Sequence, residues 1–265
     1  MYLFSKWYRK VNNRFERLKR TLRKIPDFLI ELLSTHGFER VMTKNTSNYW
    51  GDNLATNRYV SIYDDEKYID SKNYSLSDLP APDCCMGVGE NMDWRYHIVL
   101  WAGNHCKELD GDFVEVGVWY GLLSRSICRY ISFEKINKKF HLFDTWGNEE
   151  SISKYPEDVF KIVKDRFSFY PNVILHRGLL PKSLEKVESD IKKISFLSID
   201  LNHGIPERQV LEMLYEKIVE GGIIYFDDYG WNYPLLRKLV NEFFEDKNET
   251  LLHFACGSSI LIKGS

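Results

Sequence analysis

Hydrophobic and polar positions along this chain fall into two rhythms. Phe113, Val114 and Val116, then Phe140 to Phe143, Ile194 to Ile199 and Ile223 to Phe226, form short apolar runs rich in β-branched and aromatic residues. Turn residues bound each run, the pattern of buried parallel strands. Between them, Leu122 to Ile131, a stretch starting near Pro206 and Leu235 to Phe244 return to apolar residues every three or four positions, and Asp93 to Leu109 does so ahead of the first strand. That spacing predicts helices packed on a sheet. LLHFAC and SSILIKG close the chain as two further strands around a Gly-Ser turn.

Upstream the rhythm changes twice. Phe4, Trp7, Val11, Phe15, Leu18, Leu22 and Ile25 predict a helix with one apolar stripe, broken by Pro26 and followed by an apolar segment from Phe28 to Leu33. Residues 1–42 are read as a helical extension. From Thr43 the pattern loosens through TKNTSNYWGDN, YDDEKYIDSKNYSLSDLPAPD and CCMGVG, so residues 43–92 read as a loop-rich connector with short helices, a candidate lid. Residues 93–265 then read as one folded domain.

Acid stands at the ends of the predicted strands. Asp200 follows the run Ile194 to Ile199, and Asp227 and Asp228 follow Ile223 to Phe226. Carboxylates beside a sheet core need compensation, and a divalent cation gripped by oxygen ligands supplies it. The alternative is that they cap the following turn and helix. Gly111 to Ile131 reads as strand, glycine turn and helix, with the spacing E-x-G-x-x-x-G over Glu115, Gly117 and Gly121. Glycines there let a ligand approach backbone, and the helix start offers free N–H groups. Asp144 ends the next strand, where an acid meets a ribose diol or caps a turn.

Taken in order, DGDFVEVGVWYG, LFDTWG, NVILHRGLLPKSL, FLSIDLNHGIPE and VEGGIIYFDDYG resemble the S-adenosylmethionine-dependent sugar O-methyltransferases related to macrocin O-methyltransferase. The resemblance runs from about Asp93 to the end. It implies a Rossmann-like class I methyltransferase fold of the α/β class: a seven-stranded, mostly parallel sheet with an antiparallel last strand and helices on both faces. It also implies that Glu115, Gly117, Trp119, Gly121 and Ser124 border the methionine part of S-adenosylmethionine and that Asp144 holds its ribose. Thr145, Trp146 and Gly178 would lie near the adenosine end. Asp200, Asp227 and Asp228 match the family's ligands for magnesium, a site that manganese also suits.

One position departs from the relatives. Many carry Asp-x-Asp where this chain has Asp200, Leu201 and Asn202, so a carboxylate able to take a proton is replaced by an amide. Methyl transfer to a hydroxyl still needs a proton acceptor. His203 follows at once, and an imidazole titrating near pH ~6.5 suits that task, with Asp200 beside it on the metal. Two further roles stay open for His203, orienting Asp200 or lying at a helix entrance. The acceptor is read as a sugar hydroxyl of a glycan precursor or glycosylated metabolite. A catechol or small phenol is the alternative, because a phenol needs less help from a base. A catalytically silent, cofactor-binding scaffold in glycan assembly is the third, opposed by the intact acids.

Composition narrows the partners. At 265 residues, 44% of them hydrophobic, the chain can bury one substantial core. Met1 to Ile25 concentrates Lys and Arg, so of a net charge of −2 the rest carries about −10. An acidic body argues against a nucleic-acid substrate. The basic helix has three open uses: an anionic membrane surface, another subunit in a homo-oligomer, or its own domain. Five cysteines without C-x-x-C pairs indicate neither a disulfide framework nor a zinc site. A reducing cytoplasm, at the inner face of a membrane if the helix lies there, is the expected home.

Overall fold

The computed structural model describes residues 49–51, 54–79, 91–147 and 158–265. The predicted helix of residues 1–25 and the apolar segment after it lie outside the described residues. Residues 1–60 and 61–265 form two compact units. In the first, strands β1 (Tyr49–Gly51) and β2 (Leu54–Thr56) pair as an antiparallel hairpin.

The second unit begins well before Asp93. Helix α1 (Glu66–Leu76) is capped by the Asp65 carboxylate, which accepts from the Lys67 and Tyr68 amides at 2.9 and 3.1 Å. Its buried positions are Tyr68, Ser71 and Ser75, so polar contacts rather than an apolar stripe hold it. Tyr68 and Lys72 bond the Asp93 carboxylate at 2.7 and 2.6 Å, at the start of α2 (Asp93–Cys106). Buried Arg166 donates to the carbonyls of Ser75, Ser77 and Tyr120, tying the end of α1 to the catalytic sheet. The connector, read from sequence as loop-rich with short helices, contains this helix, which hydrogen bonds join to α2.

The sheet follows. In chain order come β3 (Asp112–Val116), α3 (Leu122–Ile131), β4 (Phe140–Asp144), α4 (Val159–Arg166), β5 (Val173–Arg177), α5 (Lys182–Glu185), β6 (Ile194–Ile199), α6 (Gly204–Leu214), β7 (Ile218–Phe226), α7 (Pro234–Phe244), β8 (Leu252–His253) and β9 (Ser259–Ile262). Their spatial order is β5-β4-β3-β6-β7-β9-β8. The five strands from β5 to β7 run parallel, β9 is antiparallel to β7, and β8 is antiparallel to β9. β7 starts at Ile218, earlier than its apolar run, because Gly221 and Gly222 sit at an irregularity where the register with β6 shifts. A glycine pair tolerates such a bulge.

β3 and β6 are central, so their residues are buried on both faces. On one side Phe113, Phe133, Phe140 and Phe196 meet with ring centroids 5.3–5.5 Å apart. On the other, Val114, Val116, Leu197, Ile199, Ile224 and Phe226 pack with Val210, Leu214, Val240 and Phe244 from α6 and α7. Between β3 and β6 the strand order reverses. Outside the carboxyl ends of strands at such a switch point lies the crevice where open α/β sheets bind ligands.

Candidate active site

Gly117 marks where the strands diverge. Its φ is +82°, and a Cβ placed on it would lie 1.7 Å from the Asp200 carbonyl oxygen, so only glycine lets the β3 and β6 loops come this close. Gly121, at φ +73°, leaves room for the Phe167 ring in the same way. The space that these two glycines free on the Cβ side is filled by the protein itself.

Two acids flank this loop in different states. Glu115 is 3% exposed, and its Oε2 is buried without a hydrogen-bond partner. Burial, with the charges of Asp227 and Asp144 adding to it, pushes its pKa up to about 8. Ser124 lies near enough to temper that rise, yet its fully buried hydroxyl forms no hydrogen bond of ordinary geometry. Asp144 is well supplied. Its Oδ2 accepts from the Val118 and Trp119 amides at 2.9 and 2.7 Å, and its Oδ1 from the Trp146 amide at 3.0 Å and the Thr145 hydroxyl at 3.3 Å. The Trp146 indole, 1% exposed, donates to the Trp119 carbonyl at 2.7 Å, and the Gly178 amide to the Asp144 carbonyl at 2.9 Å. Glu115, Gly117, Trp119, Gly121, Ser124, Asp144, Thr145, Trp146 and Gly178 therefore all lie at the carboxyl ends of β3, β4 and β5 or in the loops and helix that follow.

The second group lies on β6 and β7. One ligand oxygen from each of Asp200, Asp227 and Asp228 lies within 4.8 Å of the others. Burial, then Asp227 and Asp228, pushes the Asp200 carboxyl well above the usual range. Each acid has an orienting partner. The Tyr225 hydroxyl donates to Asp227 Oδ1 at 2.6 Å, and Asn202 Nδ2 to Asp200 Oδ1 at 3.2 Å. Arg95 Nη1, from α2, bonds both Asp227 Oδ2 and Asp228 Oδ1, the latter at 3.1 Å.

Local backbone explains the departure at position 202. Asn202 has φ +56°, a left-handed conformation that Asn tolerates well, and its amide ties back to Asp200 as a second carboxylate could not. Glu207, on the first turn of α6, is 2% exposed, reaches the amides of Leu201, Asn202 and His203, and has its pKa pushed by burial up to about 8. It pins the loop that carries Asp200. His203 is exposed at the entrance of α6, and its imidazole bonds none of the described residues. Orientation of Asp200 falls to Asn202 instead.

Arg95 and Tyr225 escaped the sequence reading. Arg95 is 132 residues from Asp227, and Tyr225 sits in a run that reads as core. The one available signal was a charged residue on the apolar helix DWRYHIVLWA.

Comparison with known proteins agrees with this architecture. The sequence profile of a family described as "Methyltransferase domain" matches residues 114–229. Among solved structures, the O-methyltransferase NovP superposes with a TM-score of 0.54 at 18% identity, covering 89% of this chain and 96% of its own. CalS11, a TDP-rhamnose 3′-O-methyltransferase of calicheamicin biosynthesis, gives 0.50 at 15% identity, covering 78% and 97%. No curated protein matches in sequence. The strand order and the two fold relatives lead to one conclusion, that the sheet and its helices adopt the Rossmann-like class I fold, and residues 114–229 within it match a methyltransferase-domain profile.

Proposed function

We propose that the protein transfers a methyl group from S-adenosylmethionine to a hydroxyl of a sugar-containing acceptor, a glycan precursor or glycosylated metabolite, with magnesium or manganese held by Asp200, Asp227 and Asp228. The observation that best supports this is the gathering of these three acids beside the β3 loop. The sugar class rests on the sequence resemblance and on the activity of the fold relative CalS11, a TDP-rhamnose 3′-O-methyltransferase.

The residues present fit both groups. Glu115 Oε2 and Ser124 Oγ are buried polar atoms in want of partners, which an ammonium on the methionine end of the cofactor would satisfy. Asp200, Asp227 and Asp228 offer one ligand oxygen each within 4.8 Å of one another, hard donors of the kind that a magnesium or manganese ion takes.

When bound, the cofactor supplies a methyl carbon made electrophilic by its sulfonium. Asp200, Asp227 and Asp228 would hold a divalent cation, which would supply Lewis acidity to the acceptor hydroxyl and help to position it. The chain's own residues do the rest. Glu115 and Ser124 bind the charged end of the cofactor, Asp144 fixes the loops around it, and Asn202, Tyr225 and Arg95 orient the metal ligands. His203 receives the acceptor's proton at a ring nitrogen as oxygen takes the methyl group. Residues 1–25 would dock the enzyme on an anionic membrane face or a second subunit in the cytoplasm.

Methyl transfer should require magnesium or manganese and stop in excess chelator, and Asp227→Asn should remove it. Undiminished turnover without metal would reduce the three acids to caps. His203→Gln should lose roughly 10²-fold to 10⁴-fold in rate while binding S-adenosylhomocysteine normally. Retained activity would give the proton to water and favour a phenolic acceptor.

A further inference from the structure

Arg95 already occupies the position of a counter-cation in the acid cluster. A single nitrogen, Nη1, bonds one oxygen of Asp227 and one of Asp228, bridging the two carboxylates as a metal ion would. The guanidinium is built in. Its side chain is 6% exposed, it arises from the first turn of α2, and the Trp231 indole lies 5.4 Å from the guanidinium carbon. Trp231 is itself placed by its amide bond to the Asp228 carbonyl at 3.1 Å and by Gly257, where a Cβ would come within 2.9 Å of the indole.

A guanidinium keeps its charge at every pH a protein meets, so it cannot make way for a metal by losing a proton. Like charges separated by a few ångströms in a partly desolvated site repel strongly. We propose that Arg95 is a competing cation that sets the metal affinity of Asp200, Asp227 and Asp228: it holds the acids together in the metal-free protein and weakens the binding of a divalent ion. This rests on the reading of the acids as metal ligands. It makes Arg95 a positioning residue whose effect appears in ion binding before any turnover.

The test titrates Mn²⁺ alone into the full-length protein, read by electron paramagnetic resonance of the free ion and by thermal melting. Arg95→Met should bind Mn²⁺ roughly tenfold or more tightly than the unmodified protein. It should melt lower without metal and gain more from Mn²⁺. Arg95→Lys, which keeps the charge, should stay near the unmodified affinity. Arg95→Gln retains donors without charge and gives the same reading should the methionine variant fail to fold. Equal or weaker Mn²⁺ binding by both neutral variants would overturn the competition and leave Arg95 as an aid to the ligands. Mn²⁺ binding by none of the four proteins would remove the metal reading itself, and binding that survives Asp227→Asn would place the ion elsewhere.

Discussion

Glu115 and Asp144 stand on adjacent parallel strands, and the protein treats them in opposite ways. Asp144 accepts three backbone amides, from Val118, Trp119 and Trp146, and so fastens the loop after β3 to the loop after β4. Glu115, more deeply buried, keeps an oxygen with no donor. A carboxylate so supplied is part of the framework. One left unsupplied at the switch point would suit a ligand that brings its own positive charge, the role proposed above for the methionine end of the cofactor.

Removing Asp144 is the harsher way to test that contrast. Asp144→Ala strips the amides of their shared acceptor and should cost about 2–4 kcal/mol of stability as well as most of the affinity for S-adenosylhomocysteine. Denaturant unfolding beside calorimetry would measure both, and loss of binding alone would return Asp144 to a purely ligand-facing role.

Glu115→Gln should separate the two properties. A carboxyl raised to about 8 keeps its proton in the folded protein while the unfolded chain, titrating near the ordinary value, has lost it. The folded state therefore binds more protons between about pH 4.5 and pH 8, and stability falls as pH rises through that window, by up to ~1.4 kcal/mol per pH unit for one such group. Glu207 adds a slope of the same sign. The glutamine variant should flatten the dependence by the share of one group and match or exceed the unmodified protein in stability at pH 8. An unchanged slope would show that Glu115 is ionised and paired in the folded state.

Much of this architecture was legible in the sequence, for physical reasons that differ by element. Helix α3 runs from Leu122 to Ile131 as its apolar spacing predicts, and it also buries Ser124, Arg125 and Ser126, which that spacing does not reveal. Asp200, Asp227 and Asp228 converge because parallel strands deliver their carboxyl ends to one edge of the sheet. Helix α1 was harder to see. Its buried face is Tyr68, Ser71 and Ser75, which carry no apolar period; Tyr68 and Ser75 donate to Asp93 and the Leu122 carbonyl, and Ser71 to the Lys67 carbonyl in its own helix. Arg95 showed only as a charge on an apolar helix, and its partner could not be read because a long-range ion pair has no spacing. The glycines of the β3 loop were legible as a turn, but that Gly117 yields its space to the Asp200 carbonyl depends on a strand eighty residues away.

On the proposed reading, Glu115 waits, protonated, for the cationic end of the cofactor. Calorimetry of S-adenosylhomocysteine binding at pH 7, in buffers of different ionisation enthalpy, counts the protons released. With a pKa of about 8 in the free protein and an ionised carboxylate in the complex, about 0.9 proton should leave per molecule bound, at one site per chain. Glu115→Gln should bind more weakly and release none. Tight binding without proton release in the unmodified protein, or equal binding by the glutamine variant, would contradict the claim.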